Sequence, residues 1–457
     1  MNIDGPPRPL RIALLSYRSK PHSGGQGIYV RHLSRELVAL GHHVEVFSGP
    51  PLPELDPGVK LTHLRNLDLY REPDPFRTPH RSEFRSPVDV LEWALMCTAA
   101  FPEPLTFSLR AWHHLRSRLH EFDVVHDNQS LGYGLLGLRA ELRRRGIPLV
   151  ATIHHPITVD RDLELAAATT RGRRLSLRRW YAFCRMQARV ARQLRHLTTV
   201  SGASRDEIER AFGVSGGRLR VIGVGVDEET FTPSASARVG VAPPGPASAG
   251  GGEAGADTVA GGAAEGSPGP GRVVAVASAD VPLKGLDDLI EAVAKVAVER
   301  PVELVVVGSA RPGGAADQAI TRLGLGESVR FVRGISDDEL AGLFRDADVA
   351  VVPSRYEGFS LPAVEAMACG TPLVVTTAGA LPEVTGPDGH AALHVPSGDP
   401  HALAEAVARL LDDHTLRRRL GENGRRRVLE HFTWRLTASR TAQWYQDAIT
   451  DQRNRQR

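Results

Sequence analysis

The stretch from 233 to 271 divides the chain into two parts, and this division has the strongest consequence for the fold. It reads PSASARVGVAPPGPASAGGGEAGADTVAGGAAEGSPGPG and contains almost no large apolar side chain. Such a segment cannot bury enough surface to offset the chain entropy lost on folding, so we expect a disordered linker. Each part must then build its own hydrophobic core, and 457 residues are enough for two domains.

Both parts alternate short apolar runs with amphipathic segments, which is typical of parallel α/β domains. At the start of the chain, predicted strands at 11–17 and 42–49 flank a predicted helix at 27–41. The other predicted strands lie at 122–127, 148–154, 196–201 and 219–225 in the first part and at 272–278, 302–309, 329–334, 347–354 and 372–377 in the second. The proline-rich residues 50–120 are expected to be irregular at first and then helical, and their place in the fold is not predicted. Because open parallel sheets bind ligands at the carboxyl ends of their strands, we expect the functional loops there.

Composition excludes several classes of protein. The formal net charge is +3 and the pI about 8.9, which is too mildly basic for a nucleic-acid-binding protein. The three cysteines, Cys97, Cys184 and Cys369, are widely spaced and odd in number, so neither a disulfide framework nor a zinc site is predicted. Free cysteines suit a reducing cytoplasm, where we expect the protein. No run approaches about 20 apolar residues, so no membrane-spanning helix or signal peptide is predicted.

The sequence RYEGFSLPAVEAMACGTPLVV at 355–375 places two glutamates beside a predicted helix start. The apolar run before it is predicted to be a buried strand, and the helix to begin at Ser360 as N-cap and to end at Gly370. Glu357 would then lie in the strand-to-helix loop and Glu365 one turn inside the helix. The alternative interpretation is a solvated Glu357 and a Glu365 favoured only by the helix dipole.

The loop between the two glutamates suits a phosphate group. Backbone N–H groups at a helix start point out of its positive end, and a glycine lets a ligand approach the backbone closely. These N–H groups belong to Gly358, Phe359, Ser360 and Leu361. Carboxylates beside an anion site are expected to hold hydroxyl groups rather than positive charges. A nucleotide sugar carries both phosphate and hydroxyl groups.

With E-G-F-S-L-P-x-x-E after an apolar strand, the chain resembles the retaining glycosyltransferases of family 4, which carry a Glu-x7-Glu motif. The resemblance covers nearly the whole chain outside the linker. It implies that Glu357 contacts hydroxyl groups of the donor sugar and that Glu365 contacts the ribose. It also implies that the amides of 358–361 bind the sugar and the diphosphate.

The same resemblance implies a GT-B fold, an α/β architecture of two Rossmann-like domains facing across a cleft. The acceptor-side domain would span 1–232 and the nucleotide-sugar-binding domain 272–432, joined by the linker at 233–271. A C-terminal helix at 433–450 would return to the first domain.

Two further candidates follow strands of the first part. The loop SGGQG contains Gly24 and Gly25, and the resemblance implies that Gly25 approaches the donor diphosphate and the acceptor. A simple turn is the alternative interpretation. His154 ends a predicted strand, and the resemblance implies that it contacts the donor sugar, with His155 as a second candidate. The alternative is a hydrogen-bonded structural histidine. Residues 126–129, HDNQ, close the preceding strand and are expected to line the acceptor side.

The segment SADVPLKGLDDLIEAV at 278–293 resembles the strand-to-helix turn of the family that ends in Lys-Gly. The resemblance implies that Lys284 supplies a point charge to the diphosphate leaving group. Only four of the 56 basic residues are lysines, so a lysine here is informative. Where family members usually carry an arginine, this chain has Ser278 or one of its neighbours, so half of the expected cationic pair is missing.

Two other segments have both a functional and a plain interpretation. VRFVRG resembles the family segment that reads the base, which makes Arg333 a candidate base neighbour or a solvated strand-end residue. The acidic pair Asp346 and Asp348 matches the D-x-D metal motif of other transferases, but its place at a helix end favours capping. No metal site is predicted.

Residues 171–195 are predicted to form one amphipathic helix. Its arginine face consists of Arg178, Arg185, Arg189 and Arg192, and its apolar face of Leu177, Trp180, Cys184, Ala188 and Ala191. A solvated helix face is one interpretation. The other is peripheral contact with an anionic membrane surface, at the inner face of the membrane.

We therefore predict a retaining glycosyltransferase that moves a sugar from a UDP- or GDP-sugar to a hydroxyl acceptor, without a metal or other cofactor. Catalysis would rest on holding the acceptor against the anomeric carbon and on stabilising the leaving diphosphate. One alternative is a nicotinamide-dependent dehydrogenase, which the absence of G-x-G-x-x-G disfavours. The other is a non-catalytic or weakly active sugar-nucleotide-binding protein, which the missing arginine favours.

Overall fold

The computed structural model describes residues 8–20, 25–214, 217–234, 269–277 and 281–456. Most of the predicted linker lies outside these residues, as do the candidates Gly24 and Ser278. The chain divides into two compact units. The first comprises Met1–Asp227, Glu357–Leu361 and Glu430–Arg457, and the second Glu228–Tyr356 and Pro362–Leu429. The domain boundaries derived from the sequence stay predictions.

The first unit is built on a seven-stranded sheet. Up to residue 227 its elements are β1 (Arg11–Ser16), α1 (Gly25–Ala39), β2 (His43–Ser48), β3 (Lys60–His63), α2 (Pro87–Cys97), α3 (Glu103–Leu115), β4 (Val124–Asn128), α4 (Gly134–Arg144), β5 (Leu149–Thr152), α5 (Thr158–Ala167), α6 (Arg171–Trp180), α7 (Ala182–Gln193), β6 (His196–Thr199), α8 (Gly202–Phe212) and β7 (Leu219–Val221). The strand order is β3-β2-β1-β4-β5-β6-β7, and every pairing is parallel.

Helices cover both faces of this sheet. Four consecutive residues of β1, Ile12 to Leu15, are fully buried, so side chains on both faces of the strand are shielded from water. This burial is the reason that the strands appear in the sequence as continuous apolar runs rather than as alternating patterns. The strand predicted at 219–225 is shorter than expected and ends at Val221.

The first turn of α1 packs directly on the backbone that follows β1. A Cβ atom added to Gly27 would lie 2.0 Å from the carbonyl oxygen of Lys20, so only glycine fits at this position. By contrast, no described heavy atom lies within 4 Å of a Cβ atom placed on Gly25. The glycine that the helix packing requires is therefore Gly27, which is not among the predicted site residues.

The residues that the sequence left unassigned form β3 at one edge of the first sheet and the helices α2 and α3. The single helix predicted over 171–195 is wrong, because the chain forms two helices that meet at Tyr181. Tyr181 and Phe183 are both buried, and one continuous helix would point residues two apart in nearly opposite directions. The two faces are otherwise as predicted. The four arginines of the polar face are exposed and Cys184, Ala188 and Ala191 are buried.

The second unit contains a six-stranded sheet. Its elements are β8 (Gly271–Val276), α9 (Leu286–Ala297), β9 (Val302–Val307), α10 (Ala315–Arg322), β10 (Val329–Val332), α11 (Asp337–Asp346), β11 (Val349–Val352), α12 (Leu361–Ala368), β12 (Leu373–Thr376), α13 (Leu381–Thr385), β13 (Ala392–Val395), α14 (Pro400–Asp412) and α15 (His414–His431). The strand order is β10-β9-β8-β11-β12-β13, again with parallel pairings throughout. Leu373, Val374 and Val375 of β12 are fully buried.

The last helix, α16 (Trp434–Asn454), belongs to the first unit. The indole of Trp434 stacks on the imidazole of His32 in α1, with ring centroids 5.1 Å apart. Further along α16, the hydroxyl group of Tyr445 lies 2.6 Å from Nδ1 of the buried His126. No helix of the described residues is both long and apolar enough to cross a membrane.

Candidate active site

Polar side chains stand at the carboxyl ends of four neighbouring strands of the first sheet. The register pairs Ser16 with Ser48 and with Asn128, and it pairs Asn128 with Thr152. All four side chains are buried. Since open parallel sheets bind ligands at this edge, the loops that follow these strands are the expected place for a site.

His154 follows β5 at this edge and is held by two neighbours. Its backbone N–H donates to Oε1 of Gln129 at 2.6 Å, and its Nε2 lies 2.7 Å from Oδ1 of Asn128. The ring also contacts the edge of Tyr29, with centroids 4.6 Å apart. Burial lowers the pKa of His154 to about 4, so the imidazole is neutral near pH 7. With the Nε2 proton donated to the Asn128 amide oxygen, Nδ1 remains an acceptor for a hydroxyl group.

Asn128 and Gln129 of the HDNQ segment hold this histidine in place, and the position of the segment on the acceptor side stays a prediction. Gln129 adopts a left-handed backbone conformation, and its amide group spans residues 154 and 155: Oε1 accepts from both backbone N–H groups, and Nε2 donates to the carbonyl of His155. Asp127 accepts hydrogen bonds from the hydroxyl group of Ser130 and the backbone of Leu131. These roles depend on contacts between strands and could not be inferred from the sequence pattern.

The segment 357–361 lies in the first unit and is fastened to it through Gly358. The carbonyl oxygen of Gly358 accepts hydrogen bonds from the hydroxyl groups of Ser201, at 2.6 Å, and Ser204, at 2.9 Å. A Cβ atom on Gly358 would lie 3.1 Å from Oγ of Ser204 and 3.7 Å from the carbonyl oxygen of His154. The structure therefore brings Gly358 and His154 together, as both were predicted to contact the donor.

Glu357 is 8% exposed, so the alternative interpretation of this residue as a solvated loop side chain is wrong. The ring of Phe359 packs on Phe432 with centroids 5.7 Å apart. The side chain of Phe359 is therefore part of the packing. Its backbone N–H is the group that was predicted to bind the donor substrate.

Ser360 directly precedes α12, but it is not the N-cap that the sequence predicted. Its φ angle is 81°, in the left-handed region, whereas an N-cap residue is usually extended. Its side chain is 5% exposed, and its hydroxyl oxygen has no hydrogen-bond partner among the described residues. A strained backbone and an unsatisfied buried hydroxyl group are features that concentrate at ligand sites. The predicted end of α12 is confirmed, since Gly370 adopts a left-handed conformation with φ of 75° two residues after Ala368.

The hydrogen bond between Ser204 and Gly358 leads to a testable expectation. Ser204→Ala removes one of the two hydrogen bonds that the Gly358 carbonyl accepts. We expect this loss to weaken the attachment of segment 357–361 by about 0.5–1.5 kcal/mol of free energy. We expect the donor KM to rise about threefold to tenfold with a small change in melting temperature. Steady-state kinetics with the donor varied would measure this effect. Ser34→Ala removes a hydroxyl group that is equally buried and bonded within α1, and it should leave KM unchanged. Equal changes in both variants would contradict the positioning role.

In the second unit, Lys284 ends a short 3-10 turn, Pro282–Lys284. The next residue, Gly285, has a φ of 61°, and a Cβ atom there would lie 2.0 Å from the carbonyl oxygen of Pro353. This contact fixes the Lys-Gly turn against the end of β11. The lysine loop is thus held by the residue that directly follows β11 within the second unit.

Arg355 strengthens the same junction. Its backbone N–H donates to the carbonyl of Leu283 at 2.7 Å. Its guanidinium group forms a bidentate ion pair with Asp288 in the first turn of α9, at 2.9 and 3.0 Å. Neither Arg355 nor Asp288 was predicted to support the site, although Arg355 lies only two residues before Glu357 in the sequence.

Glu365 lies in α12 with its carboxyl group largely enclosed. Burial raises the pKa of this group to about 8, and the negative charge of Asp337 at the start of α11 raises it further. The helix dipole would lower the pKa, so it is not the dominant influence on this residue. Glu365 is therefore largely protonated near pH 7 in the structure and can donate a hydrogen bond as well as accept one.

The raised pKa of Glu365 predicts a pH-dependent stability. Folding favours the neutral carboxyl group, so its contribution is complete below the ordinary glutamate pKa and is lost as the pH rises towards 8. Glu365→Gln, which stays neutral, should melt at a higher temperature than the natural protein at about pH 8.5 and at a similar temperature at about pH 5. Thermal melts across this range would measure the difference. Glu327→Gln, at an exposed carboxylate, should show no such trend. A constant difference between Glu365→Gln and the natural protein at every pH would contradict the raised pKa.

The remaining candidates are less closely placed. Arg333 is exposed just after β10, the edge strand, and two further strands separate that edge from β11. Gly25 is the first residue of α1. Gly24 and Ser278 lie outside the described residues, so their roles stay predictions.

Known proteins resemble the chain along almost its whole length. Residues 23–230 match the family model described as Glycosyltransferase Family 4, and residues 263–427 match the one described as Glycosyl transferases group 1. A protein of Mycolicibacterium hassiacum named MMP alpha-(1->4)-mannosyltransferase is 52% identical over 441 residues, which cover 96% of this chain and 98% of that protein. This chain belongs to glycosyltransferase family 4.

Other relatives of this family 4 glycosyltransferase are more distant. The D-inositol 3-phosphate glycosyltransferase of Streptomyces coelicolor is 29% identical, over 98% of this chain and 94% of that protein. Among solved structures, sucrose-phosphate synthase from Thermosynechococcus elongatus matches with a TM-score of 0.67 at 24% identity, over 97% of this chain and 100% of that one. Anabaena HepE in complex with UDP and glucose matches with a TM-score of 0.62 at 18% identity, over 95% and 98%. The predicted GT-B class, with two Rossmann-like domains, is confirmed.

The acidic D-x-D pair of this glycosyltransferase serves the fold. Asp346 ends α11, and Asp348 accepts a hydrogen bond from the backbone of Arg272 at 2.9 Å and pairs with Arg417 at 3.6 Å. The hydrogen-bond partner of Asp348 belongs to strand β8, so the capping interpretation is not confirmed for this residue. Within the described ranges, no three His, Cys, Asp or Glu side chains are grouped so that they could hold a metal ion.

Proposed function

We propose that this glycosyltransferase moves a mannosyl group from a nucleoside-diphosphate mannose to a sugar hydroxyl group, with retention of the anomeric configuration. The observation that carries the proposal is the start of α12. There a strained, buried and unpartnered Ser360 hydroxyl group follows the buried Glu357. The name of the Mycolicibacterium relative supports mannose as the sugar and an α-(1→4) linkage as the product.

The donor would be held through its diphosphate and its hydroxyl groups. The backbone N–H groups of 358–361 would bind the phosphate oxygens at the start of α12, where the helix dipole favours an anion. Glu357 would accept hydrogen bonds from sugar hydroxyl groups, and the free Nδ1 of His154 would accept one more. The protonated Glu365 would hydrogen-bond the ribose, and Arg333 would lie beside the base. Gly24 and Gly25 would let the diphosphate approach the backbone.

Catalysis would proceed by departure of the nucleoside diphosphate and attack of the acceptor hydroxyl group on the same face of the sugar. Lys284 would neutralise the charge that develops on the leaving phosphate, which is the usual role of a metal ion in other transferases. We therefore propose that the reaction needs no metal. Holding the acceptor close to the anomeric carbon supplies the remaining rate acceleration.

A donor and acceptor panel tests this function. The purified protein would be incubated with GDP-mannose, UDP-glucose, UDP-N-acetylglucosamine and ADP-glucose, with α-mannosides as acceptors. We expect release of nucleotide from a mannose donor in the presence of EDTA, and a new α-(1→4) signal in the NMR spectrum of the product. A β-linked product would refute retention. Binding of donor without any nucleotide release would favour the alternative of a non-catalytic sugar-nucleotide-binding protein.

Contact with a membrane is a separate proposal. The exposed arginines of α6 and α7 would attract an anionic surface, with the protein peripheral to the bilayer. Sedimentation with anionic vesicles, compared between the natural protein and Arg185→Gln/Arg189→Gln, would test this contact.

A further inference from the structure

A second concave site lies in the first unit, away from the residues considered above. It is a cavity of about 530 Å3, which we call the arginine cavity. Its lining consists of Arg139, Arg143, Ile147, Pro148, Leu149, Leu194, Arg195, His196, Gln452, Arg455 and Gln456. The lining residues come from the end of α4, the starts of β5 and β6 and the end of α16.

The arginine cavity has an excess of positive charge. Its lining contains four arginines and no carboxylate. Beside the lining, Asp451 lies 3.0 Å from Nε of Arg455, 3.3 Å from Nε2 of His196 and 4.0 Å from Nε of Arg195. Among the described residues, no carboxylate lies within ion-pair distance of Arg139 or Arg143. Asp451 thus pairs with only two of the four arginines that line the cavity.

The guanidinium groups are close enough to influence one another. The pKa of Arg139 is lowered, first by burial and then by the charges of Arg143 and Arg195. Like charges that are partly removed from water repel each other, and this repulsion is relieved when an anion binds between them. The geometry therefore holds these arginines in an arrangement that an anion would stabilise.

Two contacts of the Gln456 side chain hold the walls of the arginine cavity together. The side-chain amide of Gln456 donates to the carbonyl of Arg143 at 2.8 Å, which joins the end of α16 to the end of α4. A Cβ atom on Gly146 would lie 2.6 Å from Oε1 of the same glutamine, so the chain passes close beneath it. The walls of the cavity are thus held together by direct contacts.

The position separates this cavity from the candidate active site. Leu149 begins β5 at the cavity, whereas His154 follows the end of the same strand. At about 3.3 Å per residue, Leu149 and His154 are on the order of 15 Å apart, at opposite ends of the same strand. An anion in the arginine cavity would therefore not occupy the proposed donor site.

We propose that the arginine cavity binds a phosphate-bearing anion. Guanidinium groups form paired hydrogen bonds with phosphate oxygens, and several arginines converging on one cavity suit a group with more than one negative charge. The phosphate could belong to a free compound or to a lipid headgroup. The proposal does not depend on the proposed sugar transfer.

Inorganic pyrophosphate is the probe for a free compound. Titration calorimetry should detect its binding to the full-length protein, and Arg139→Gln/Arg143→Gln should weaken that binding at least about tenfold. Arg322→Gln/Arg409→Gln removes the same charge from exposed positions of the second unit and should bind as the natural protein does. Circular dichroism melts would show that each variant folds.

Vesicles of anionic phospholipid distinguish the other source. If pyrophosphate fails to bind but vesicle binding is lost in Arg139→Gln/Arg143→Gln and kept in Arg185→Gln/Arg189→Gln, the phosphate of a lipid headgroup is the ligand and the proposal holds. If binding of both probes is unchanged in Arg139→Gln/Arg143→Gln, or falls equally in the Arg322→Gln/Arg409→Gln control, the proposal is overturned. Absence of binding to either probe in the natural protein would overturn it as well.

Discussion

Glu357→Ala should lose transfer activity while the protein remains folded, with kcat/KM reduced at least about a hundredfold. The carboxylate is buried at 8% exposure, in a segment whose next residue is held by two serine hydroxyl groups. It is therefore a fixed acceptor, and the hydrogen bonds that it would make to the sugar strengthen as charge develops on the ring. Continuous measurement of nucleotide release gives kcat and KM, and a thermal melt reports the fold.

Two further variants separate a chemical role for Glu357 from a structural one. Glu357→Gln keeps the shape and one acceptor oxygen, so it should retain more activity than the alanine variant. Glu209→Ala removes an exposed carboxylate from α8 in the same unit and should be fully active. Unchanged turnover in Glu357→Ala, at a melting temperature equal to that of the natural protein, would remove Glu357 from the site.

Lys284→Ala should reduce kcat about a hundredfold, with a smaller effect on donor binding. The lysine is carried on a turn that Gly285 and Arg355 fix against the end of β11. Its ammonium group would oppose the charge that appears on the departing phosphate, so its removal acts on the transition state more than on the bound donor. Single-turnover kinetics separate the two effects.

The matched control for this lysine is on the helix that follows it. Lys295 is exposed in α9 and is one of the four lysines of the chain, so Lys295→Ala removes the same charge without touching the turn. It should be as active as the natural protein. Lys284→Arg should recover part of the lost rate, because charge is restored with a different geometry. A loss of donor affinity with kcat unchanged would contradict a role in the departure of the diphosphate.

The sequence by itself determined the two α/β parts and the place of the candidate loops. Apolar runs of four to six residues reveal buried parallel strands, because such strands are covered on both faces and carry no polar residues in their middle. Glycines marked the turns at Gly285 and Gly370, since few other residues accept a left-handed backbone there. The pattern E-G-F-S-L-P-x-x-E, which contains Glu357 and Glu365, carried the resemblance to the family, and the Lys-Gly turn at Lys284 agreed with it.

Local pattern misled where packing decided the outcome. The amphipathic pattern of 171–195 fits one helix, yet the burial of two aromatic rings divides it in two. Ser360 has the residue type and position of an N-cap, but its backbone takes a conformation that an N-cap does not use. In both cases the sequence gives the preference of a segment, and contacts with the rest of the protein override that preference.

Only the tertiary structure decided which residues support the site. Gln129 and Asn128 hold His154, and Ser201 and Ser204 hold Gly358, through hydrogen bonds between residues that are far apart in the chain. The arginine cavity likewise gathers side chains from the ends of α4 and α16 and from the start of β6. Such groupings follow from the order of strands in the sheet and from the return of the last helix. No local pattern encodes them, because they depend on which segments become neighbours when the core is buried.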